Sequence, residues 1–433
     1  MALISRVVPN RWLRLLLATV LLAVAGYLLW RQGSAYAELR AARADLDQYK
    51  FVEAEEHLTK CLAIWPSRAD VWLLSGQAAR RREDYVKAEE RYAQVQRLNN
   101  GQTTDELNFE RVLMQAQLDP DDKLDYLRQL VEAHDPRSNL ILEAMIRGYM
   151  RRHRYLDAGF LANVWLERKP DDPYALLCRG AVRDQIGPRN QCIEDFQRVL
   201  EINPDQEEAR MRLSRSLLEL ARPSEALATI RPLADKYPTE PKVLVTLAEC
   251  QDAVGEFAAA EATARKVLTI QATNEDALTL LGKILIDRDQ FAEAERHLRQ
   301  AIKLRPSLYQ ARLQLHRVLV STHRDREAEE VKAFLTNSAK DSVRLAAISS
   351  EELPKTPRNP ALFLEVGQIF LRASEPSIAI HWLTDGLRHA GSSPVLQRQI
   401  HLELATANEK LGDKGRAETH TRSANPGSPR EKP

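Results

Sequence analysis

The stretch FAEAERHLRQAIKLRP, residues 291–306, has the pattern of one amphipathic helix that ends at a proline. Its apolar and small side chains at Phe291, Ala294, Leu298 and Ala301 follow the three- and four-residue spacing of a single helical face. Regular steps of about 34 residues from Ala294 meet another small residue along most of the chain. The stretch is therefore one copy of an internal repeat.

Small residues mark two columns of this repeat, one in each of two helical patterns per unit. Prolines keep the same step at Pro136, Pro170, Pro204 and Pro238, and Pro306 follows after one gap. Because a small side chain at each column lets two antiparallel helices approach closely, we expect the column residues to pack the helices of each unit. These residues are Gly76, Ala88, Ala158, Gly180, Cys192, Ala226, Ala248, Ala260, Gly282, Ala294, Ala328, Gly367 and Ala379.

A single hairpin of two such helices cannot bury its apolar face alone, so neighbouring hairpins must stack. The composition agrees, since alanine, leucine, glutamate and arginine dominate and all favour helix. The sequence therefore predicts an all-α solenoid of stacked helix-turn-helix units.

The chain resembles the tetratricopeptide-repeat (TPR) family. Two units carry most of the resemblance, with Trp72, Gly76, Tyr85, Ala88 and Tyr92 in one, and Leu281, Gly282, Phe291, Ala294, Leu298, Ala301 and Pro306 in the other. The resemblance implies a right-handed α-solenoid whose first helices line a concave groove for partner peptides.

The repeat register divides the chain into segments. About nine repeats are expected over 35–335, an irregular break or hinge over 336–359, TPR-like repeats over 360–421 and a disordered tail over 422–433. The break carries three prolines near its end, and the tail is polar and proline-rich.

Before the repeats, residues 12–30 read WLRLLLATVLLAVAGYLLW, and no residue from Leu15 to Trp30 is charged. Nineteen helical residues span about 28 Å, close to the hydrocarbon thickness of a bilayer. The stretch predicts a transmembrane signal-anchor helix at 12–31 after a flank at 1–11. The alternative is a cleaved signal peptide, since AVA at 23–25 and AYA at 35–37 resemble processing sites.

The basic residues are slightly denser before the apolar stretch than after it. By the positive-inside rule, this favours a single-pass protein of the cell membrane with its repeats on the extracytoplasmic, periplasmic side.

Charge and cysteine usage exclude several classes of protein. Lysine plus arginine (62) balances aspartate plus glutamate (61), so no basic excess points to nucleic acid as a partner. The four cysteines form no C-x-x-C pair, which argues against a zinc ribbon or a thioredoxin-like site. Cys178 and Cys192 fall in the two helices of one unit, so one possibility is a disulfide between them. The alternative is that both are small buried hydrophobic residues.

No phosphate-binding loop, dinucleotide-binding motif, nucleophile elbow or zinc-protease motif occurs, and the histidines form no pair with metal-ligand spacing. We therefore expect no enzyme activity, no metal site and no cofactor.

The resemblance implies that side chains of the first helices line the binding groove, and their mixed character suits an extended peptide. The alternative is that they are the solvated faces of amphipathic helices. The candidates are Gln77, Arg81, Glu143, Arg147, Leu177, Ala181, Asp184, Met211, Arg215, Leu218, Val245, Glu249, Asp252, Thr279, Lys283, Ile286, Leu313, Arg317 and Val320.

These features predict a membrane-anchored TPR scaffold that binds protein partners in its groove, for assembly of an envelope complex or for secretion. Two alternatives remain at this point. One is an envelope factor that handles polysaccharide or lipid, and the other is a subunit that recruits partners to a membrane enzyme system.

Overall fold

A computed structural model describes residues 10–425 of the chain except Pro188, Pro354, Pro357 and Ser392, and it leaves the side chains of residues 10–14 and Leu17 undescribed. Residues 1–9 of the predicted flank and residues 426–433 of the predicted tail lie outside the described residues. The described part of the tail is residues 422–425, of which 422–424 are helical rather than disordered.

The described residues form α-helices and one π-helical turn and contain no strand, which confirms the all-α prediction. The chain divides into two compact units, Met1–Ala144 (unit 1) and Met145–Pro433 (unit 2). Unit 1 contains α1 (Asn10–Asp47), α2 (Phe51–Ile64), α3 (Ala69–Arg81), α4 (Tyr85–Leu98), α5 (Asp105–Leu118) and α6 (Leu124–Glu132), and α7 (Ser138–Arg151) crosses the boundary.

Unit 2 contains the remaining helices. They are α8 (Tyr155–Arg168), α9 (Pro173–Ile186), α10 (Arg189–Ile202), α11 (Glu207–Glu219), α12 (Pro223–Lys236), α13 (Pro241–Ala253), α14 (Phe257–Ile270), α15 (Glu275–Ile286), α16 (Phe291–Leu304), α17 (Tyr309–Ser321), α18 (Asp325–Ala347), α19 (Pro360–Arg372), α20 (Pro376–His389), α21 (Pro394–Lys410) and α22 (Lys414–Ala424). The π-helical turn, Ile348–Glu352, follows α18.

The described side chains of α1 between Leu15 and Trp30 are uncharged and exposed, and the second half of the helix packs against α2. Ala35, Leu39, Ala42 and Leu46 recur every three or four residues and are buried in a core shared with α2 and α3. Within the uncharged run from Leu15 to Trp30, large side chains such as Leu22, Leu29 and Trp30 itself are exposed.

The uncharged run of α1, Leu15 to Trp30, covers only about 24 Å at 1.5 Å per residue, whereas a bilayer core is about 30 Å thick. Among the described residues, no helix combines the length and the apolar character that a membrane crossing requires. The prediction of a single-pass cell-membrane protein with a transmembrane helix at 12–31 is therefore wrong. The predicted extracytoplasmic placement of the repeats depended on that helix and is therefore wrong as well.

In four hairpins of the described chain a glycine of the first helix packs against a large residue of the second. A Cβ atom added to Gly180 would lie 2.6 Å from Phe196 Cε1, and one added to Gly282 would lie 2.6 Å from Leu298 Cγ. In both pairs the large residue lies one helical turn after the small residue of the second column, Cys192 or Ala294. All the column residues are buried, so the two columns form the contact between the helices of each hairpin.

The turn inside each hairpin also repeats. Ala221, Gly255, Asp289 and His323 occupy the same position in successive repeats, and all have a positive φ between 55° and 89°. After this residue the backbone N–H of Gln290 bonds to the carbonyl of Leu285 at 2.9 Å, which closes the end of the first helix. Gly255 adopts this conformation without a steric cost, and Asp289 and His323 belong to the non-glycine types that are enriched in it.

Polar side chains fix the starts of several first helices. Asp172 accepts hydrogen bonds from the N–H groups two and three residues later, and Pro173 occupies the first turn, where it needs no partner for a missing N–H. Thr104 and Asn274 cap α5 and α15 in the same way.

The predicted irregular segment 336–359 differs from the structure in its first half. Helix α18 has 23 residues and continues through the register break to Ala347, where the π-helical turn begins. No proline or glycine interrupts residues 325–347, so nothing in the local sequence stops the helix before then.

A long-range contact links the early and late helices of unit 2. The guanidinium of Arg152, just after α7, donates to both carboxylate oxygens of Asp385 on α20, at 2.7 and 2.8 Å, and both side chains are buried. The neighbouring His153 ring lies 5.5 Å from the Phe370 ring of α19, and burial lowers the pKa of His153. We call Arg152, His153, Phe370 and Asp385 the clasp.

We predict that Gly282→Ala destabilises the protein by about 1–3 kcal/mol, because the new methyl group overlaps a buried leucine that has no room to move. The free energy of unfolding from urea denaturation, followed by circular dichroism, measures the effect. Gly33→Ala is the matched control, since Gly33 is a helical glycine with nothing within 4 Å of its added Cβ. It should be neutral or stabilising by about 0.5–1 kcal/mol, and equal effects of the two changes would contradict the packing role.

Asp385→Asn should cost about 3 kcal/mol, because it removes a negative charge that pairs with the buried Arg152 cation. Asp235→Asn, at an exposed position of α12, is the control and should change stability little. The same urea measurement applies, and a loss no greater than that of the control would show that the clasp does not stabilise unit 2.

Candidate functional site

The candidate binding residues of the described chain all lie on the first helices of the hairpins. Gln77 and Arg81 are on α3 and Glu143 and Arg147 on α7, with Asp184 on α9, Met211 and Arg215 on α11, Glu249 and Asp252 on α13, Lys283 on α15 and Arg317 on α17. Five other candidates are buried and do not reach the surface, namely Leu177, Ala181, Val245, Thr279 and Ile286.

In unit 1 the candidates are internal partners rather than free groups. Arg81 is buried, and its guanidinium donates to Glu143 Oε1 at 2.9 Å and to the carbonyl of Leu46 at 3.0 Å. Gln77 Nε2 donates to Glu110 Oε1 at 3.1 Å. These side chains therefore hold α1, α3, α5 and α7 together.

Beside them, Arg80 and Glu110 form a fully buried ion pair with an Nε–Oε2 distance of 2.9 Å. The Tyr92 hydroxyl donates to the same carboxylate at 3.1 Å. Burial would lower the pKa of Arg80, but Glu110 outweighs it and raises that pKa above its usual range. Burial, helped by Glu110, also raises the pKa of Tyr92. Because every charge has a partner, the cluster serves packing and leaves nothing for a ligand.

In unit 2, first helices of successive repeats contact one another directly, from α9 to α11 and on through α13 and α15 to α17. Contacts of comparable extent between successive second helices are absent over these described repeats. A stack whose first helices pack closer than its second helices curves with the first helices on the inner side. This is the arrangement that a peptide-binding groove needs.

Polar side chains bridge these first helices. Lys283 Nζ donates to Asp252 Oδ2 at 2.5 Å, and Arg317 Nη2 donates to Asp287 Oδ1 at 3.1 Å. Ser216 Oγ donates to Asp184 Oδ1 at 3.2 Å. Several of the candidates thus link neighbouring repeats, and we call these three pairs the inter-repeat bridges.

Arg147 is also engaged within unit 2. Its guanidinium donates to the Tyr174 hydroxyl and lies 5.3 Å from the centre of that ring, which joins α7 to α9. A change at Arg147 would therefore disturb packing as well as any binding.

Four side chains of unit 2 occupy one equivalent position in successive repeats. They are Arg215, Glu249, Lys283 and Arg317, each one full repeat after the last. Arg215 is exposed, and no side chain of the described residues forms an ion pair or a hydrogen bond with it. We call these four residues, with the half-buried Met211 beside them, the first-helix face.

Glu249 is the one acid in this row. It is half-buried, and among the described residues no donor bonds to its carboxylate. Burial raises its pKa, and the Arg215 cation opposes that rise. One turn along α13, Asp252 is buried, and its Oδ1 atom has no hydrogen-bond partner although Oδ2 bonds to Lys283.

Sequence analysis missed the partners that occupy the candidates, namely Tyr174, Ser216, Asp287 and Leu46. A usable signal was present for the inter-repeat bridges, since their members lie 30–32 residues apart, about one helical turn less than the repeat. The two cysteines that had been left open, Cys178 and Cys192, are buried and form no disulfide, and Cys192 Sγ contacts the Arg189 carbonyl at 3.0 Å.

Within the part of the chain that the structure describes, no three or more histidine, cysteine, aspartate or glutamate side chains are grouped so that they could hold a metal ion.

We predict that Lys283→Met destabilises unit 2 by about 1–3 kcal/mol, because Asp252 is then a buried carboxylate without a donor. Adding Asp252→Asn should recover most of the lost stability. Urea unfolding of the wild type, the two single variants and the double variant measures this. Lys303→Met, at an exposed position of α16, is the control for the loss of a lysine. Additive effects of the two changes would argue against the bridge.

Three segments of the chain match family models of the tetratricopeptide repeat, at residues 39–102, 191–244 and 275–308. Human tetratricopeptide repeat protein 16 is 25% identical over 209 residues, which is 41% of this chain and 24% of that protein. The alignment thus spans about a quarter of the length of that relative.

Solved structures with a partial similarity to this chain include a tetratricopeptide repeat protein from Parabacteroides merdae, at 18% identity and a TM-score of 0.38, covering 66% of this chain and 99% of that one. Another is PilW, described as a type IV pilus biogenesis factor, at 23% identity and a TM-score of 0.39, covering 44% of this chain and 89% of that one. With the helical fold described above, the three segment matches identify the protein as an all-helical solenoid that contains tetratricopeptide repeats.

Proposed function

We propose that this protein is a scaffold that binds protein partners as extended peptide segments along the first-helix face of unit 2. One observation carries the proposal. Charged side chains recur there at one position per repeat, on helices that pack directly against each other. A row of this kind offers a peptide one charged contact per repeat.

The spacing suits an extended chain. Packed helices lie about 8–10 Å apart. An extended peptide in the polyproline II conformation rises about 3.1 Å per residue with three residues per turn, so every third side chain faces the same way and one repeat corresponds to about three peptide residues. The peptide would then meet Arg215, Glu249, Lys283 and Arg317 in order along its length.

Arg215 is the best residue for a test, because it is exposed and its replacement removes no hydrogen bond or ion pair among the described residues. Its one internal effect among those residues is the electrostatic one on Glu249. Arg147 is a poorer choice, because it holds Tyr174.

Random dodecamer peptides displayed on phage are selected on the full chain, and the recovered peptides are synthesised with a fluorescent label. We predict that Arg215→Glu weakens their binding about tenfold, measured by fluorescence anisotropy, because it reverses one charged contact. Lys266→Glu is the matched control, an exposed lysine on the second helix α14, and should leave the affinity unchanged.

Equal affinities for the wild type and both variants would show that the peptides bind elsewhere. Failure to recover any peptide would argue against the scaffold proposal for unit 2. Unchanged circular dichroism of both variants excludes unfolding as the cause of weaker binding.

A further inference from the structure

Among the charged residues of the first-helix face, Glu249 is the one whose surroundings are unfavourable to it in the free protein. Its carboxylate is partly removed from water and accepts no hydrogen bond from the described residues. Removing a carboxylate from water without a donor costs free energy. In a folded protein, such a group points to a ligand that supplies the missing partner.

The nearby cations do not fill that role. Lys283 is drawn to Asp252 at 2.5 Å, and Arg215 projects into solvent without an ion pair. The charged groups that act most strongly on Glu249 are Arg215 on α11, Asp276 and Lys283 on α15 and Asp252 on its own helix, rather than groups of α12 or α14. The Glu249 carboxylate therefore has Arg215, a cation without an ion pair, as its neighbour on the preceding first helix.

A second observation supports a ligand at this place. Asp252 lies one turn from Glu249 on the same helix, is only 6% exposed and has one oxygen, Oδ1, without a partner. A half-buried carboxylate beside a buried one with an unmet acceptor atom favours a group with several N–H donors, such as an ammonium or a guanidinium.

We infer that the peptide bound by the first-helix face carries a lysine or arginine side chain that pairs with Glu249 and, about three residues away, an aspartate or glutamate that pairs with Arg215. The interval follows from the spacing of adjacent first helices and from the three-residue turn of a peptide in the polyproline II conformation, which places both side chains on the same face. The inference rests on the proposed function and specifies the charge pattern of the partner.

The test uses four phage-displayed dodecamer pools in which only positions 5 and 8 are fixed, as Glu/Lys, Lys/Glu, Lys/Lys or Glu/Leu. The wild-type protein should enrich one of the two opposite-charge pools over the other three. Peptides from that pool, N-acetylated and C-amidated so that only side chains supply the charges, should bind about tenfold more tightly than their Lys/Lys and Glu/Leu counterparts.

The charge-swapped variant Arg215→Glu/Glu249→Lys provides the decisive comparison. It should prefer the opposite-charge pool of the reverse order, a result that a merely structural role of the two residues would not produce. Arg231→Glu/Glu194→Lys makes the same swap at exposed positions of second helices and should keep the wild-type preference.

The behaviour of Glu249→Gln separates function from folding. The pKa of Glu249 is higher in the folded protein than in the unfolded chain. The ionised carboxylate therefore lowers the stability at any pH above the pKa of the unfolded chain, and protonation removes this loss as the pH falls through the raised pKa. Glu249→Gln should therefore keep or raise the unfolding midpoint at pH 7 while it weakens binding of the lysine peptide about tenfold. Binding of the lysine peptide to the wild type should also weaken as the pH is lowered through a window above the usual pKa range of glutamate. Its binding to Glu249→Gln should not change in that window.

The outcomes separate the two proposals. Peptides that bind the wild type and lose affinity to Arg215→Glu, but show no preference among the four pools or keep their preference on the charge-swapped variant, would overturn the inference and leave the scaffold proposal standing. If no pool yields a binding peptide, both fall together.

Discussion

The tight contact between the two helices of a hairpin determines how successive repeats stack. At Gly180 and Gly282 the approach leaves no room even for a methyl group, because Phe196 and Leu298 already fill the space. The same contact fixes the axial position of each second helix against its first. Where successive hairpins repeat this contact, equivalent residues come into line, and charges separated by a full repeat in sequence become neighbours along one face.

The sequence predicted the helical hairpins well, because their signal is local and repeated. Small residues at two columns, such as Gly282 and Ala294, report the helix contact directly, and all of them are buried. The long helix α18 was not predicted, because register and prolines suggested a break where the backbone itself had no reason to stop. The membrane helix was wrongly predicted because an uncharged run was read together with flanking residues as a complete span.

The candidate binding residues were harder to predict than the hairpins. A charged residue on a first helix can face solvent, bridge to the next repeat or turn inward, and composition does not distinguish these. Arg81 turns inward to Glu143, Lys283 bridges to Asp252, and Arg215 faces solvent. The outcome depends on whether a partner lies at a sequence separation about one helical turn less than a full repeat. This is a relation between two positions, and neither position shows it alone. The Arg152–Asp385 pair is further out of reach, since 233 residues separate its members and no periodicity connects them.

The clasp changes how unit 2 should respond to stress. In an open array each repeat touches only its neighbours, so terminal repeats can fray one at a time while the middle stays folded. Here Arg152 near the beginning of unit 2 is tied to Asp385 near its end, and the buried pair cannot be opened without exposing two charges. The outermost hairpins thereby share the stability of distant ones, and unit 2 should lose its structure in fewer and larger steps than its linear sequence of repeats suggests.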